Sequence, residues 1–341
     1  MFDRIGIAAG VIAGLAAAAL PADAQSVGEF YKGKQIEVII GTTPGGSYDV
    51  WARLLGRHMG KHLPGNPTFV PRNMPGAGTM TAANHIFNNA PRDGTVLGFV
   101  SRNMPTQDVL GHPSVKFKTA EFNWIGSPEL TNRVCAAMGT SKVKKAEDLL
   151  KDELVVGGVA ATAISTTPTL MNKLLGLKFK VVDGYPGGTE VFLAMEKGEV
   201  DGICQTLSAV EGAHAGWVKE GKINILFNLE EKRLSNYNVP SIHEFAKTNE
   251  QKKVLAFYNS NAELGRPVMT TPGVPKDRVQ ALRRAFDATM KDADFRAEAA
   301  KLKLQVDPLT GEQVAAVAEM IAATPKSIID KTIDLVGTLG E

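Results

Sequence analysis

The chain has 341 residues, enough for two domains of ordinary size. Apolar residues make up 44% and charged residues 22%, the balance of a globular protein that buries a core without staples. A formal net charge of +2 is too small to point to nucleic acid or an anionic membrane as the partner.

At the N-terminus, Arg4 opens a short positive end, weakened by Asp3. Residues 5–20 are then uninterrupted apolar or small, and Pro21 precedes Ala22-Asp23-Ala24, a small-x-small pattern. This predicts a secretory signal peptide over residues 1–24, cut after Ala24. The alternative is a membrane anchor, for which the run is short and alanine-rich. The mature chain is expected to be exported and not membrane-embedded.

Residues 35–41 (QIEVIIG) predict a buried strand. The turn Pro44-Gly45-Gly46-Ser47-Tyr48-Asp49 follows. Across residues 49–62 the apolar positions Trp51, Leu54, Leu55 and Met59 recur at spacings of three and four, which predicts an amphipathic helix ended by Leu63-Pro64-Gly65. A second strand is expected at 68–70, a helix at 80–88 after Pro75-Gly76-Ala77-Gly78, and a third strand at 95–101. The pattern then restarts, with strands at 133–138, 154–159, 179–182, 200–204 and 223–229 and helices at 166–175 and 189–197. The C-terminal third reads as helical. Val279, Leu282, Phe286 and Met290 share a face, Thr310-Gly311-Glu312-Gln313 is a capping box, and a last helix runs over 326–336. Alternation of strand and helix, seen twice, predicts an α/β protein of two domains, each a mostly parallel sheet flanked by helices.

The Gly-rich turn joins a strand to a helix. Glycine lets backbone approach a ligand closely, and the free N–H groups and dipole of a helix start attract an anion. Ser47 adds a hydroxyl donor. Asp49 admits two roles, helix cap or partner for a ligand ammonium. The turn lacks the Gly-Lys-Ser/Thr ending of a P-loop, and its glycines do not fit the dinucleotide fingerprint. Pro75-Gly76-Ala77-Gly78-Thr79 and residues 157–167 are two further small-residue turns before helices, and the three can face one another across a cleft. No nucleophile elbow, Cys-His pair, acidic cluster or metal-ligand spacing stands in the chain, so neither catalysis, cofactor nor metal is expected. His58 and His62 lack the intervening glutamate of a zincin helix. Cys135 and Cys204 are open to pairing in an oxidising compartment and equally to life as buried free thiols.

Four segments resemble, in order and spacing, the substrate-binding proteins of tripartite tricarboxylate transporters, the Bug family. They are Tyr31-Lys32-Gly33-Lys34-Gln35-Ile36, residues 44–53 (PGGSYDVWAR), Asn73-Met74-Pro75-Gly76-Ala77-Gly78 and Ala90-Pro91-Arg92-Asp93-Gly94-Thr95. Gly184-Tyr185-Pro186-Gly187-Gly188, Gly198-Glu199-Val200-Asp201-Gly202 and Pro272-Gly273-Val274-Pro275 resemble the family's later signatures. The resemblance implies a two-domain periplasmic binding protein, with residues 25–128 plus 232–341 as one domain and 129–231 as the other. It implies a cleft where a small organic carboxylate, a di- or tricarboxylate or an aromatic acid, meets backbone amides and hydroxyls. Carried onto this chain, the first jaw is Thr43, Gly45, Gly46 and Ser47, with Tyr48 facing the cleft and Asp49 beside it. Ala77 and Gly78 form a wall. The second jaw is Ala161, Thr162, Ser165 and Thr166, with Tyr185 and Gln205 in the same domain. Arg102 admits two readings, partner of a second carboxylate or surface residue. The chain departs from the family pattern at Tyr185-Pro186-Gly187 and Ser165-Thr166-Thr167-Pro168, at the far end of the pocket. The implied role is a monomeric, non-enzymatic solute carrier that delivers its ligand to membrane subunits. A sensor component for a receptor kinase is the alternative, and a periplasmic enzyme on the same fold a more distant one.

Overall fold

The computed structural model describes residues 26–45, 47–159, 162–213, 216–234 and 236–337. The expected leader lies outside the described residues, as do Gly46 and Ala161. Eleven strands are described: β1 (Gln35–Ile40), β2 (Thr68–Asn73), β3 (Val96–Phe99), β4 (Asn123–Ser127), β5 (Arg133–Met138), β6 (Leu154–Gly158), β7 (Phe179–Asp183), β8 (Gly202–Thr206), β9 (Ile223–Asn228), β10 (Val268–Thr270) and β11 (Leu309–Thr310). They form two sheets, ordered β11-β4-β10-β3-β1-β2 and β7-β6-β8-β5-β9. Two α/β domains result, as the alternation of strand and helix predicts.

Both sheets are mixed. In the first, β1 to β4 run one way while β10 and β11 run against them. In the second, β6 to β9 run together and β5 alone runs against them. The cause is connectivity. A strand that follows a crossover helix enters parallel, whereas β5 and β10 carry the chain across from the other domain and enter from the opposite edge.

Strand β1 is buried on both faces, and its alternation feeds two cores. Ile36, Val38 and Ile40 pack with the helices Ser47–Met59 and Lys276–Lys291, while Ile39 points into the other core. Trp51, Leu54, Leu55 and Met59 of the first helix are all fully or nearly fully buried. Each contributes roughly 2 kcal/mol of transfer free energy before entropy is counted. The four residues predicted to share a face of the later helix, Val279, Leu282, Phe286 and Met290, are buried with them.

The other core is continuous between the sheets. Ile39 and Met269 of the first belong to the same cluster as Cys135, Val156 and Phe227 of the second. The helix Asn249–Leu264 joins them through Val254, Leu255 and Phe257, and the helices Gly311–Ala322 and Lys326–Val336 complete the layer. Among the described residues no helix is long and apolar enough to cross a membrane.

Cys135 and Cys204 are bonded to each other. They stand directly opposite in the β5–β8 pairing, and both are buried. Both readings therefore hold in part, because the buried strand thiols are also the pair.

Candidate functional site

The parallel run of β1, β3 and β4 sets their carboxyl ends on one edge of the first sheet. Because β10 runs the other way, its amino end lies there too, with Val268 opposite both Phe99 and Gly126. Residues adjoining these strand ends, Thr42, Ser101, Glu129 and Arg266, gather for this reason. Arg102, one place beyond Ser101, joins them. In the second sheet the same edge holds the ends of β6 to β9 and the amino end of β5, with Arg133 opposite Thr206. Only the five residues 128–132 separate β4 from β5, a reach of roughly 20 Å even when extended, so the two edges are neighbours.

A cavity of about 720 Å³ opens at the first edge. Thr42, Tyr48, Gly78, Ser101, Arg102 and Arg266 line it, together with Ile333 of the last helix. Sequence reading anticipates Tyr48, Gly78 and Arg102 of these. It misses Thr42 by one residue, and it misses Arg266 because β10 is too short to show a period. Among the described residues the buried Thr42 hydroxyl finds no hydrogen-bond partner.

Tyr48 organises the cavity. Its hydroxyl accepts the backbone N–H of Arg102 at 3.0 Å, and the Arg266 guanidinium lies over its ring, 4.7 Å from the centroid. Arg102 donates from Nη1 to Thr131 Oγ1 at 2.8 Å. Burial first, and then the charges of Arg133 and Arg266, lower the Arg102 guanidinium to about 10, partly opposed by Tyr48 and Glu129. It still carries its charge at neutral pH. Glu129 is the nearby carboxylate. It accepts the Trp51 Nε1–H at 2.9 Å and lies 3.7 Å from Arg266 Nε. Gly265 makes this meeting possible: at φ +60°, a Cβ there would stand 1.6 Å from the Glu129 carbonyl oxygen.

The Gly-rich turn is braced from beneath. Buried Asp49 accepts the Gly45 N–H at 2.9 Å, Arg53 Nε at 2.9 and 3.0 Å, and Asn73 Nδ2 at 2.9 Å. Asn73 also donates to the Thr42 carbonyl at 2.8 Å. Burial raises the Asp49 carboxyl, but the hydrogen bonds from Arg53, Gly45 and Asn73 outweigh it and hold the group below its ordinary value. Asp49 thus clasps the turn that precedes its helix. Thr43, Gly45 and Ser47 are exposed above it, and Gly45 has φ +87°. Ala77 and Gly78 are exposed in a left-handed stretch at φ +45° and +59°, fixed to the end of β3 where Ser101 N–H donates to Thr79 Oγ1 at 2.9 Å.

The second-domain residues stand at the carboxyl edge of their own sheet and do not line the 720 Å³ cavity. Thr162 caps the helix Ala163–Leu175, accepting from Ile164 N at 3.3 Å and donating to Val159 O at 2.8 Å. The buried Ser165 hydroxyl is shared between Val159 O and Asp183 Oδ1. Thr166 and Thr167 both meet the Tyr258 hydroxyl at 2.8 Å. These hydroxyls, expected from the resemblance to face a ligand, already have protein partners. Tyr185 is half-buried, and its N–H donates to Gly158 O at 3.3 Å. Gln205 lines a separate cavity of about 450 Å³ with Gly188 and Phe192.

His58 and His62 face acidic partners, Glu298 at 2.6 Å and Asp292 at 2.9 Å. Among the described residues no group of three or more His, Cys, Asp or Glu side chains is placed to hold a metal ion.

No family model matches the chain. A curated relative from Cupriavidus necator, described as "UPF0065 protein in gbd 5'region", is 27% identical over 339 residues, 96% of this chain and 95% of its own. Among solved structures, a TctC solute binding protein from Polaromonas with no ligand matches with a TM-score of 0.69 at 20% identity, over 88% of this chain and 99% of its own. An R. palustris protein solved with adipate matches with a TM-score of 0.52 at 18% identity, over 89% and 97%. The neighbours are thus those that the sequence resemblance names, and the fold is the two-domain fold of periplasmic solute-binding proteins.

Proposed function

We propose that this protein is a periplasmic solute-binding protein that captures a small organic carboxylate between its two domains and delivers it to the membrane subunits of a tripartite transporter. The observation that carries the reading is the meeting of strand ends. Ligands of open α/β sheets bind outside the carboxyl ends of strands, and here two such edges adjoin across a five-residue crossing. The cavity at the first edge is lined by Thr42 and by two arginines, Arg102 and Arg266. That lining suits a carboxylate. The adipate in the R. palustris neighbour supports the same ligand class.

In this reading residues 25–128 with 232–341 form one jaw and 129–231 the other. Ligand is trapped by hinge closure, and Ser47, Gly45 and Thr43 supply the exposed donors of the first jaw. The leader over residues 1–24 is removed on export. Mass spectrometry of small molecules released from the purified, denatured protein tests this. Recovery of an intact organic acid in near-stoichiometric amount is expected. Conversion of that acid by the native protein would point to an enzyme and sink the reading.

A further inference from the structure

The last helix reaches the first-edge cavity from a seat on the other domain. The helix Gly311–Ala322 stands on β4 of the first sheet. Residues 323–325 then lead into the helix Lys326–Val336, which packs on Ala163–Leu175 of the second domain and on Asn249–Leu264. Ile328 and Ile329 are buried in that seat, in one cluster with Leu170, Met171 and Leu174. Two polar ties add to it. Lys331 pairs with Glu250, and Lys173 Nζ donates to the Leu335 carbonyl at 2.7 Å, a cation at the helix C-terminus. The helix Asn249–Leu264 is itself held to the second domain. Its Tyr258 hydroxyl meets Thr166 and Thr167 at 2.8 Å, and Gln251 Nε2 donates to the Leu174 carbonyl at 2.7 Å. Ile333, four residues beyond Ile329, is half-buried and lines the 720 Å³ cavity. With Met104 and Leu110 it gives that cavity an apolar stretch of wall, which meets the body of a solute rather than its carboxylate.

Resting on the proposed carboxylate reading, we infer that Ile333 is a specificity-determining residue that limits the bulk of the solute's apolar body, and that the helix carrying it is a strap seated on the second domain. The limit is therefore set by how that helix sits as well as by the side chain it presents. An apolar wall discriminates by volume. Each methylene that fits adds burial, and each that does not must displace packed atoms.

Calorimetric titration of the mature protein with straight-chain monocarboxylates of graded length, benzoate and the dicarboxylates of matching length tests this. Affinity of wild type for the monocarboxylates is expected to rise with chain length to a limit and then fall. Ile333→Ala should move that limit to longer chains, raising the affinity of the first excluded acid relative to the best wild-type binder by about tenfold. Ile333→Trp should move it to shorter chains and leave the shortest binder within about twofold of wild type. Ile329→Ala, which loosens the seat without touching the cavity wall, should move the limit in the same direction as Ile333→Ala. Thermal unfolding confirms that each variant is folded, and Ile329→Val repeats the test if the alanine variant is not. An unchanged limit in both Ile333 variants overturns the inference and leaves the carboxylate reading intact. So does binding confined to dicarboxylates. A limit that moves in the Ile333 variants but not in the Ile329 variants overturns the strap. If no acid of any class binds, the broader reading fails as well.

Discussion

Tyr48 and Arg102 are 54 residues apart, and the hydroxyl of the first accepts the backbone N–H of the second at 3.0 Å. The bond ties the helix after β1 to the chain leaving β3, so the helix that follows the Gly-rich turn also lines the arginine cavity. A signal that looks local in the sequence is therefore one end of a larger surface.

Removing that hydroxyl isolates its role. Tyr48→Phe leaves the Arg102 N–H without its partner but keeps the ring beneath Arg266. Stability should fall by about 1–2 kcal/mol in chemical denaturation, and ligand affinity should fall with it. Tyr48→Ala, which also removes the Arg266 platform, should weaken binding further. A phenylalanine variant equal to wild type in both measurements would show that the bond holds nothing in place.

Asp49 is expected to matter for the fold before it matters for ligand. Asp49→Ala deprives Arg53, Asn73 and the Gly45 N–H of their acceptor. A loss of roughly 2–3 kcal/mol is expected. The carboxyl is held below its ordinary value of 3.8, so its contribution is complete above that value and is lost as pH falls through the folded value. Acid unfolding should therefore be less steep in Asp49→Asn, which cannot titrate. A wild-type acid limb in that variant would remove Asp49 from the account.

The Cys135–Cys204 bond closes a loop of 69 residues between neighbouring strands. On the chain-entropy estimate it contributes about 4 kcal/mol by restricting the unfolded chain. Thermal midpoints measured with and without reductant should differ by several degrees. Coincident midpoints, with reduction verified by mass, would contradict the estimate.

Glu263 sits in the last turn of the helix Asn249–Leu264, three residues before Arg266. Burial, with the charges of Glu230 and Glu231, pushes it up to about 7 from 4.5. Between those values the folded protein binds more protons at this residue than the unfolded chain does, so its contribution to stability is lost as pH rises. His243, held below 6.5 chiefly by burial, acts in the opposite direction. The informative quantity is thus the difference between wild type and Glu263→Gln, which should grow in favour of the glutamine as pH rises toward neutrality. A difference independent of pH would exclude Glu263 as the titrating group.

Much of the frame was legible because its elements have one wet face and one dry face. The helices at 80–88 and 326–336 and the strand at 133–138 match their expected bounds. The helix Asn249–Leu264 was not legible by period, since its second half is buried nearly all round, from Val254 through Leu264. Its capping box, Thr248 with Gln251, repeats the Thr310 and Gln313 pattern and was the available signal. The strands β10 and β11 are too short to carry a pattern, and β4, buried along nearly all its length, shows no alternation. The site was half legible for the same reason. Tyr48, Gly78 and Arg102 lie beside turns that sequence can flag, whereas Arg266 reaches the cavity only because β10 runs against β3 and β4. Ser165 and Thr166 have the right chemistry for donors, yet their hydroxyls are taken by Val159, Asp183 and Tyr258.

The most direct test of a carboxylate clamp is calorimetric titration of the purified mature protein with mono-, di- and tricarboxylates, aromatic acids included. The account predicts saturable one-site binding of at least one acid, weakened when a bulky residue replaces Ser47 at the exposed start of the first helix. No binding across the panel, or full affinity in the Ser47 variant, would contradict it.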